Sequence, residues 1–209
     1  SDVSLSYTAA AGSFHIAYGN DAIIYGATWA STSGKYRGAL SFDGVDDTVR
    51  VPHNSTLLPS TITVEAWANM VAGDSIVSKD YDSGYNLYAA GSVAAFAITV
   101  HVNNKKAEGT TNILNAWHHL VGTFDGTWVR IYVDGVLEGL TNISGTTMWG
   151  TNPVYFGSNN YGGFSVVTID EVSVYNRALS SSEILNAYNG VITKDGMVLY
   201  LSFDEGSGS

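Results

Sequence analysis

The chain reads as all-β, on the strength of one hairpin signal, a recurring strand pattern and a single helical segment. In residues 113–140 two runs of alternating apolar residues flank Asp125-Gly126, and the second leads into Asp134-Gly135. Asp-Gly between alternating runs marks a tight turn, because such turns need positive φ, which glycine adopts without steric cost. Short strand-like runs separated by Gly, Asn and Asp recur along the whole chain, the pattern of a sandwich or barrel.

In chain order, the expected strands cover residues 22–25, 39–42, 48–51, 62–69, 75–78, 85–89, 94–102, 118–124, 129–133, 154–156 and 166–175. In residues 62–67 apolar side chains alternate with Thr63 and Glu65, so one face of that strand is buried and the other wetter. Residues 101–106 suggest a further hairpin turning at Asn103-Asn104. The helix starts at Ser180, where Ser180-Ser181-Ser182-Glu183 forms a capping box. Ile184, Leu185 and Tyr188 share one helical face, and Gly190 can end the helix. Packing against the strands is its expected role.

At 209 residues, with 45% hydrophobic residues and 13 Tyr, 7 Phe and 5 Trp, the chain can bury a sizeable core. Only 13% of residues are charged, and the net charge is −10. An acidic surface without a basic run repels phosphate backbones and anionic membranes, so nucleic acid is excluded as a partner class. No stretch approaches a membrane span, so membrane insertion is not expected either. Excess carboxylates suit Ca²⁺, a hard cation that prefers oxygen ligands. The chain has no cysteine, hence no disulfide or thiolate chemistry. Asn54-Ser-Thr and Asn142-Ile-Ser match the glycosylation sequon. Together these features suggest an extracellular or cell-surface location.

The two ends of the chain resemble each other. Residues 199–209 align without gaps on residues 3–13, with Leu201, Ser202, Gly208 and Ser209 on Leu5, Ser6, Gly12 and Ser13. Residues 1–194 are therefore read as one domain, and 195–209 as a C-terminal strand. That strand either begins a second repeat or is donated to the sheet edge of another copy.

With these pieces in order, the chain resembles the laminin-G-like, concanavalin A-like lectin/glucanase superfamily. The resemblance is carried by Ala39-Leu40-Ser41-Phe42-Asp43-Gly44, Ile62-Thr63-Val64-Glu65-Ala66-Trp67, Trp117-His118-His119 and Val133-Asp134-Gly135. It continues through Ile169-Asp170-Glu171-Val172 into Tyr175-Asn176-Arg177-Ala178-Leu179-Ser180. It implies a two-sheet antiparallel jelly-roll sandwich with one short C-terminal helix. Val198–Gly208 also looks like the family's usual opening strand. The fold serves lectins, adhesion domains, glycosidases and spacers alike, so function must come from the site.

The resemblance also implies a calcium ion where the early Phe-Asp-Gly turn meets the late Ile-Asp-Glu strand. That nominates Asp43, the Gly44 carbonyl and Asp170, with Asp46 or Asp47 as further ligands. Asp43 serving only its Asp-Gly turn is the competing reading. Sugar recognition uses exposed aromatic platforms beside Asn and Asp. Two polar, aromatic loops have that composition, one offering Tyr81 and Asp82 and the other Asn159, Asn160 and Tyr161. Trp149 is a third site, whereas Trp29, Trp67 and Trp117 are assigned to packing.

A glycosidase needs two carboxylates across the scissile bond, and families of this fold carry them as Glu-x-Asp-x-x-Glu or Glu-x-Asp-x-Glu. Neither pattern occurs. Glu65 has no such partner, and adjacent Asp170 and Glu171 should face opposite ways on a strand. His118 and His119 cannot chelate one ion together for the same reason. The expected function is a non-catalytic glycan-binding or adhesion module acting on glycans or surface glycoconjugates. The alternative is a structural subunit that links copies of itself through its C-terminal strand.

Overall fold

The computed structural model describes residues 13–14, 20–80, 83–100, 103–143 and 147–204. The first strands are β1 (Ser13–Phe14), β2 (Ala22–Tyr25), β3 (Thr28–Trp29), β4 (Leu40–Asp43) and β5 (Thr48–Val51). Next come β6 (Ile62–Ala72), β7 (Ser75–Lys79), β8 (Tyr85–Ala90), β9 (Val93–Val100) and β10 (Asn103–Asn112). Then follow β11 (Trp117–Phe124), β12 (Trp128–Val133), β13 (Val136–Asn142), β14 (Val154–Phe156) and β15 (Val166–Tyr175). Helix α1 (Ser181–Tyr188) and β16 (Met197–Leu201) complete the described elements.

The strands form two antiparallel sheets. One runs β1-β2-β5-β14-β7-β8-β9-β10, and the other β13-β12-β11-β6-β15-β4-β3, with β16 also paired to β15. This is the jelly-roll sandwich expected from the sequence. Alternation along β6 explains why it lies centrally. Ile62, Val64, Ala66, Ala68 and Met70 enter the core between the sheets, which leaves Thr63, Glu65, Trp67 and Asn69 on the outer face. The sheets approach closely at Gly122 of β11, where a Cβ would fall 2.1 Å from the Phe96 ring.

The outer face of the second sheet is covered by its own small core, in which Leu179 and Ile184 pack on Val121, Tyr132, Tyr175 and Met197. Helix α1 holds this cover. Ser180 Oγ accepts from Glu183 N, and the Glu183 carboxylate accepts from Ser180 N, the expected capping box. Arg177 clamps the same carboxylate with two bonds of 2.6 and 3.1 Å.

β15 organises the second sheet. Val166 to Ile169 pair with β4, and Val172 to Tyr175 pair with β16 of the same chain. Between them the register against β6 slips from Asp170↔Trp67 to Ser173↔Glu65, which inserts one extra residue on β15. Glu171 sits in that bulge with a left-handed φ of 51°.

Two turns differ from expectation. Asn103 and Asn104 already pair with Val100 and Thr99 as part of β10, so they belong to a strand rather than to a turn, and residues 101–102 lie outside the described ones. The turn after β11 closes through the Asp125 N–H to the Trp128 carbonyl, which centres it on Gly126 and Thr127 rather than on Asp125-Gly126. Asp134-Gly135 is the two-residue turn expected, with φ of 51° and 80° joining the paired Val133 and Val136. β13 itself carries no clean alternation, and a bulge opposite Ile131 and Tyr132 interrupts its register. Residues 3–12 and 205–209, which carry much of the terminal resemblance, lie outside the described residues.

Candidate functional site

One end of the sandwich gathers several of the expected site residues. The turn after β4 places one carboxylate oxygen each of Asp43, Asp46 and Asp47 within 4.8 Å of one another. The turn is locally wired: Asp43 Oδ1 accepts from Val45 N at 2.8 Å, and Asp47 Oδ2 accepts from Asp43 N at 2.9 Å. Gly26, with φ 76°, permits the close approach of Asp47 Oδ1, where any side chain would collide. Burial pushes the Asp47 carboxyl above its usual range, with neighbouring Asp43 and Asp46 adding to the effect.

Oxygens on opposite sides of a Ca²⁺ ion stand roughly 4.6–5.2 Å apart, given Ca–O distances of about 2.3–2.6 Å. The three carboxylates therefore suit one shared ion and would supply about half of its six to eight ligands. Asp170 is not part of this group. Val166 faces Asp43 across the ladder, and Asp170 lies four positions further, roughly 13 Å away at ~3.3 Å per residue. Gly44 packs instead against Val166.

The loop between β14 and β15 lies at the same end. Ser165 Oγ accepts from Ser75 N at 3.0 Å, and Ser158 Oγ bonds Thr48 Oγ1 at 2.6 Å. Asn159 fixes the loop from within. Its Oδ1 accepts from Tyr161 N at 2.9 Å and Gly163 N at 3.0 Å, and its Nδ2 donates to Ser75 Oγ at 3.2 Å. Tyr161 is thus held 64% exposed at the tip, next to half-buried Asn160. Asn159 is a turn-forming residue, and Tyr161 is the exposed aromatic residue of the loop.

The remaining loop candidates lie at the opposite end of β7. Gly150 N donates to the Ser83 carbonyl, and Asn152 Nδ2 donates to Asp80 Oδ1 at 3.0 Å. Lys79 Nζ bonds the Asn152 carbonyl at 2.6 Å, and burial draws its pKa down to about 8. Trp149 meets the Tyr85 ring edge-on at 6.0 Å and packs against the core, so packing accounts for it. Tyr81 and Asp82 lie outside the described residues.

A different constellation occupies the outer face of β6 and β15, under the crossing that follows α1. A cavity of about 200 Å³ is lined there by Tyr36, Glu65, Trp67, Glu171, Ala187, Gly190, Ile192 and Tyr200. Trp67, expected to pack, is 2% exposed, stacks on Tyr188 at 5.7 Å and meets Tyr36 edge-on at 5.9 Å. His119 is fully buried, whereas His118 stays near the surface with Nδ1 2.8 Å from Asp134 Oδ2. Glu65 Oε1 lies 3.2 Å from His119 Nε2, but without hydrogen-bond alignment.

Asp170 accepts from Tyr36 N at 3.0 Å, and Glu171 accepts from the Tyr200 hydroxyl. Burial raises Asp170 to about 6, against backbone hydrogen bonds that lower it and with Asp204 adding to the rise. It raises Glu171 to about 7, where Asp170 and Asp204 both add to the effect. The bulge is what brings Glu171 and Glu65 to one cavity. Strict alternation cannot reveal such a pair. Both carboxylates are nearly inaccessible, at 2% and 7% exposed, which is unlike the open cleft that a polysaccharide needs around a catalytic pair.

Comparison with known proteins follows the fold. A family model described as the concanavalin A-like lectin/glucanases superfamily matches residues 43–185. No curated protein matches the chain in sequence. Among solved structures, the binding domain of Paraclostridial Mosquitocidal Protein 1 superposes with a TM-score of 0.71 at 14% identity, over 90% of this chain and 51% of that one. The binding domain of botulinum neurotoxin DC, solved in complex with SialylT, gives 0.68 at 14% identity, covering 90% and 51%. A botulinum neurotoxin type C structure, described as showing cell entry that depends on two ganglioside molecules, gives 0.67 at 13% identity, covering 91% and 51%. The chain spans about half the length of these structures, and at such identities the likeness concerns the fold.

Proposed function

This chain belongs to the concanavalin A-like lectin/glucanase superfamily, and on that premise we propose that it is a non-catalytic glycan-binding module working outside the cell or at its surface. One observation carries the reading: Tyr161 stands exposed on a loop that Asn159 wires rigidly, at the same sandwich end as the Asp43–Asp46–Asp47 turn. A flat ring held in place by its own loop offers a sugar stacking area at little entropic cost, and Asn160 adds a hydrogen-bonding group. Support comes from relatives of the fold, among them a toxin domain solved with SialylT and one described as depending on gangliosides. In this reading calcium binds Asp43, Asp46 and Asp47 and stiffens the rim beside Tyr161.

The alternative, assembly through residues 195–209, draws on the match between the two ends of the chain. Within the described residues, Met197–Leu201 pair with β15 of the same chain, which favours the module.

A glycan array probed in calcium and again after chelation tests the proposal. Binding is expected, at least tenfold weaker for Tyr161→Ala with unchanged thermal stability. Loss of binding on chelation and in Asp46→Asn would support the calcium assignment, whereas binding that survives chelation removes calcium from the scheme. An array silent in both buffers overturns the glycan reading.

A further inference from the structure

The outer-face cavity has no part in that reading, and its lining is chemically one-sided. Two carboxylates, Glu65 and Glu171, and three aromatic residues, Tyr36, Trp67 and Tyr200, line it. The basic groups nearest to them among those described, His119 Nε2 at 3.2 Å from Glu65 Oε1 and Lys35 over the Trp67 ring, stand behind or outside that lining. Glu65 is 2% exposed, and its Oε2 has no hydrogen-bond partner among the described residues. A buried acceptor left unpaired is costly, and a ligand that donates a hydrogen bond relieves the cost. The aromatic wall already attracts positive charge: Lys35 Nζ rests 4.0 Å from the Trp67 ring centroid.

These features discriminate among ligand classes. An anion would meet Glu65 and Glu171 first, since Lys35 and His119 are not among the lining residues. A bare divalent cation wants six or more oxygens, and here most of the wall is ring and aliphatic surface. A neutral polyol could donate to Glu65 Oε2 but would add no charge to balance two carboxylates, of which only Glu65 has an imidazole beside it. A protonated amine satisfies all three demands, since its N–H groups reach carboxylates, its charge suits aromatic rings, and its carbon body suits Ile192 and Tyr36.

We propose that this cavity is a second binding site, taking a protonated primary amine with its ammonium group on Glu65 Oε2 and the Glu171 carboxylate. The amine is either that of an unacetylated amino sugar or that of an aliphatic side chain. The site does not depend on the loop at 158–164, so the two proposals stand or fall separately. Glu171 is faced by Tyr200 on β16, Asp204 beyond it, Glu65 on β6, Tyr36 from the preceding loop, and Asp170 on its own strand. An ammonium there favours the ionised carboxylate, so affinity should rise between pH 6 and 8 as Glu171 releases its proton.

The test is calorimetric titration of the intact chain with butylamine, glucosamine and N-acetylglucosamine at pH 6 and pH 8. Saturable binding of at least one amine is expected, tighter at pH 8, with N-acetylglucosamine at least tenfold weaker than glucosamine or inert. Binding of glucosamine alone identifies an amino sugar as the source, and binding of butylamine as well identifies the amine itself. Glu65→Gln, which keeps the shape and removes the charge, should weaken binding at least tenfold, and Tyr161→Ala should leave it unchanged. Should Glu65→Gln fail to fold, Tyr36→Ala at the exposed edge serves instead. No saturable amine binding, affinity independent of pH, or undiminished binding in the folded variant overturns the proposal.

Discussion

Replacing Glu171 with glutamine should change how stability depends on pH more than it changes stability itself. Glu171 is 7% exposed, and burial lifts its carboxyl from 4.5 to about 7. The folded state therefore holds the proton more tightly than the unfolded chain does. The stabilisation is fully present below pH 4.5 and is lost as pH rises through 7. At about 1.36 kcal/mol per pKa unit, the rise corresponds to roughly 3 kcal/mol between those limits. Glutamine cannot ionise, yet its carbonyl can still accept from Tyr200. The variant should thus match the parent near pH 4.5 and exceed it by up to about 3 kcal/mol at pH 8. Asp170, raised to about 6 by burial, slopes the same way in both proteins, and its repulsion of Glu171 is lost in the variant, so the difference between the curves reports on the pair. Urea unfolding of parent and variant at half-unit steps from pH 4.5 to 8.5 provides the measurement. Parallel curves, or a parent that gains stability over this range relative to the variant, would refute the reasoning.

Phe203 is fully buried and meets Trp29 edge-on at 6.5 Å, so Phe203→Ala should cost about 3–5 kcal/mol in urea unfolding. A cost below about 1 kcal/mol would show that the chain beyond β16 is not part of the core. Gly122→Ala drives a methyl into the Phe96 ring and should cost about 1–3 kcal/mol, read as a lower urea midpoint at unchanged slope. Ser180→Ala removes the cap of α1 and should lower stability by about 1 kcal/mol at pH 7. Its partner Glu183 is held down at about 2 by Arg177 and then Ser180. That pairing stabilises above pH 4.5 and is lost as pH falls through 2, so the parent's acid unfolding limb should be steeper than that of Glu183→Gln.

Local pattern carried the strands well. Residues 22–25, 48–51, 154–156 and 166–175 were legible to the residue, because the first three alternate or are wholly apolar between turn signals and the last alternates on either side of Asp170-Glu171. β10 was not, since Asn103-Asn104 look like a turn, and only pairing with Val100 makes Asn103 part of a strand. The site was less legible than the fold. Asp43, Asp46 and Asp47 come together because they share one turn, whereas Asp170, nominated with Asp43 from the family resemblance, lies apart from them through the register of β15 on β4. Trp149 has the composition of a binding residue, and its neighbour Tyr85 makes it a packing one. The Glu65–Glu171 cavity depends on one inserted residue, which a strict two-residue period hides.

The pairing of β15 has a consequence for how the chain reaches this state. β4 finds β15 only once residue 169 is available, and β6 needs both Phe124 of β11 and Tyr175 of β15 as neighbours. β5 waits likewise for β14. β4, β5 and β6 therefore each have a partner a hundred or so residues downstream, and loop-closure entropy opposes each meeting before packing rewards it. In a chain made from its N-terminus those edges of β4, β5 and β6 stay unpaired until β14 and β15 emerge, and topologies of such long-range pairing generally fold slowly.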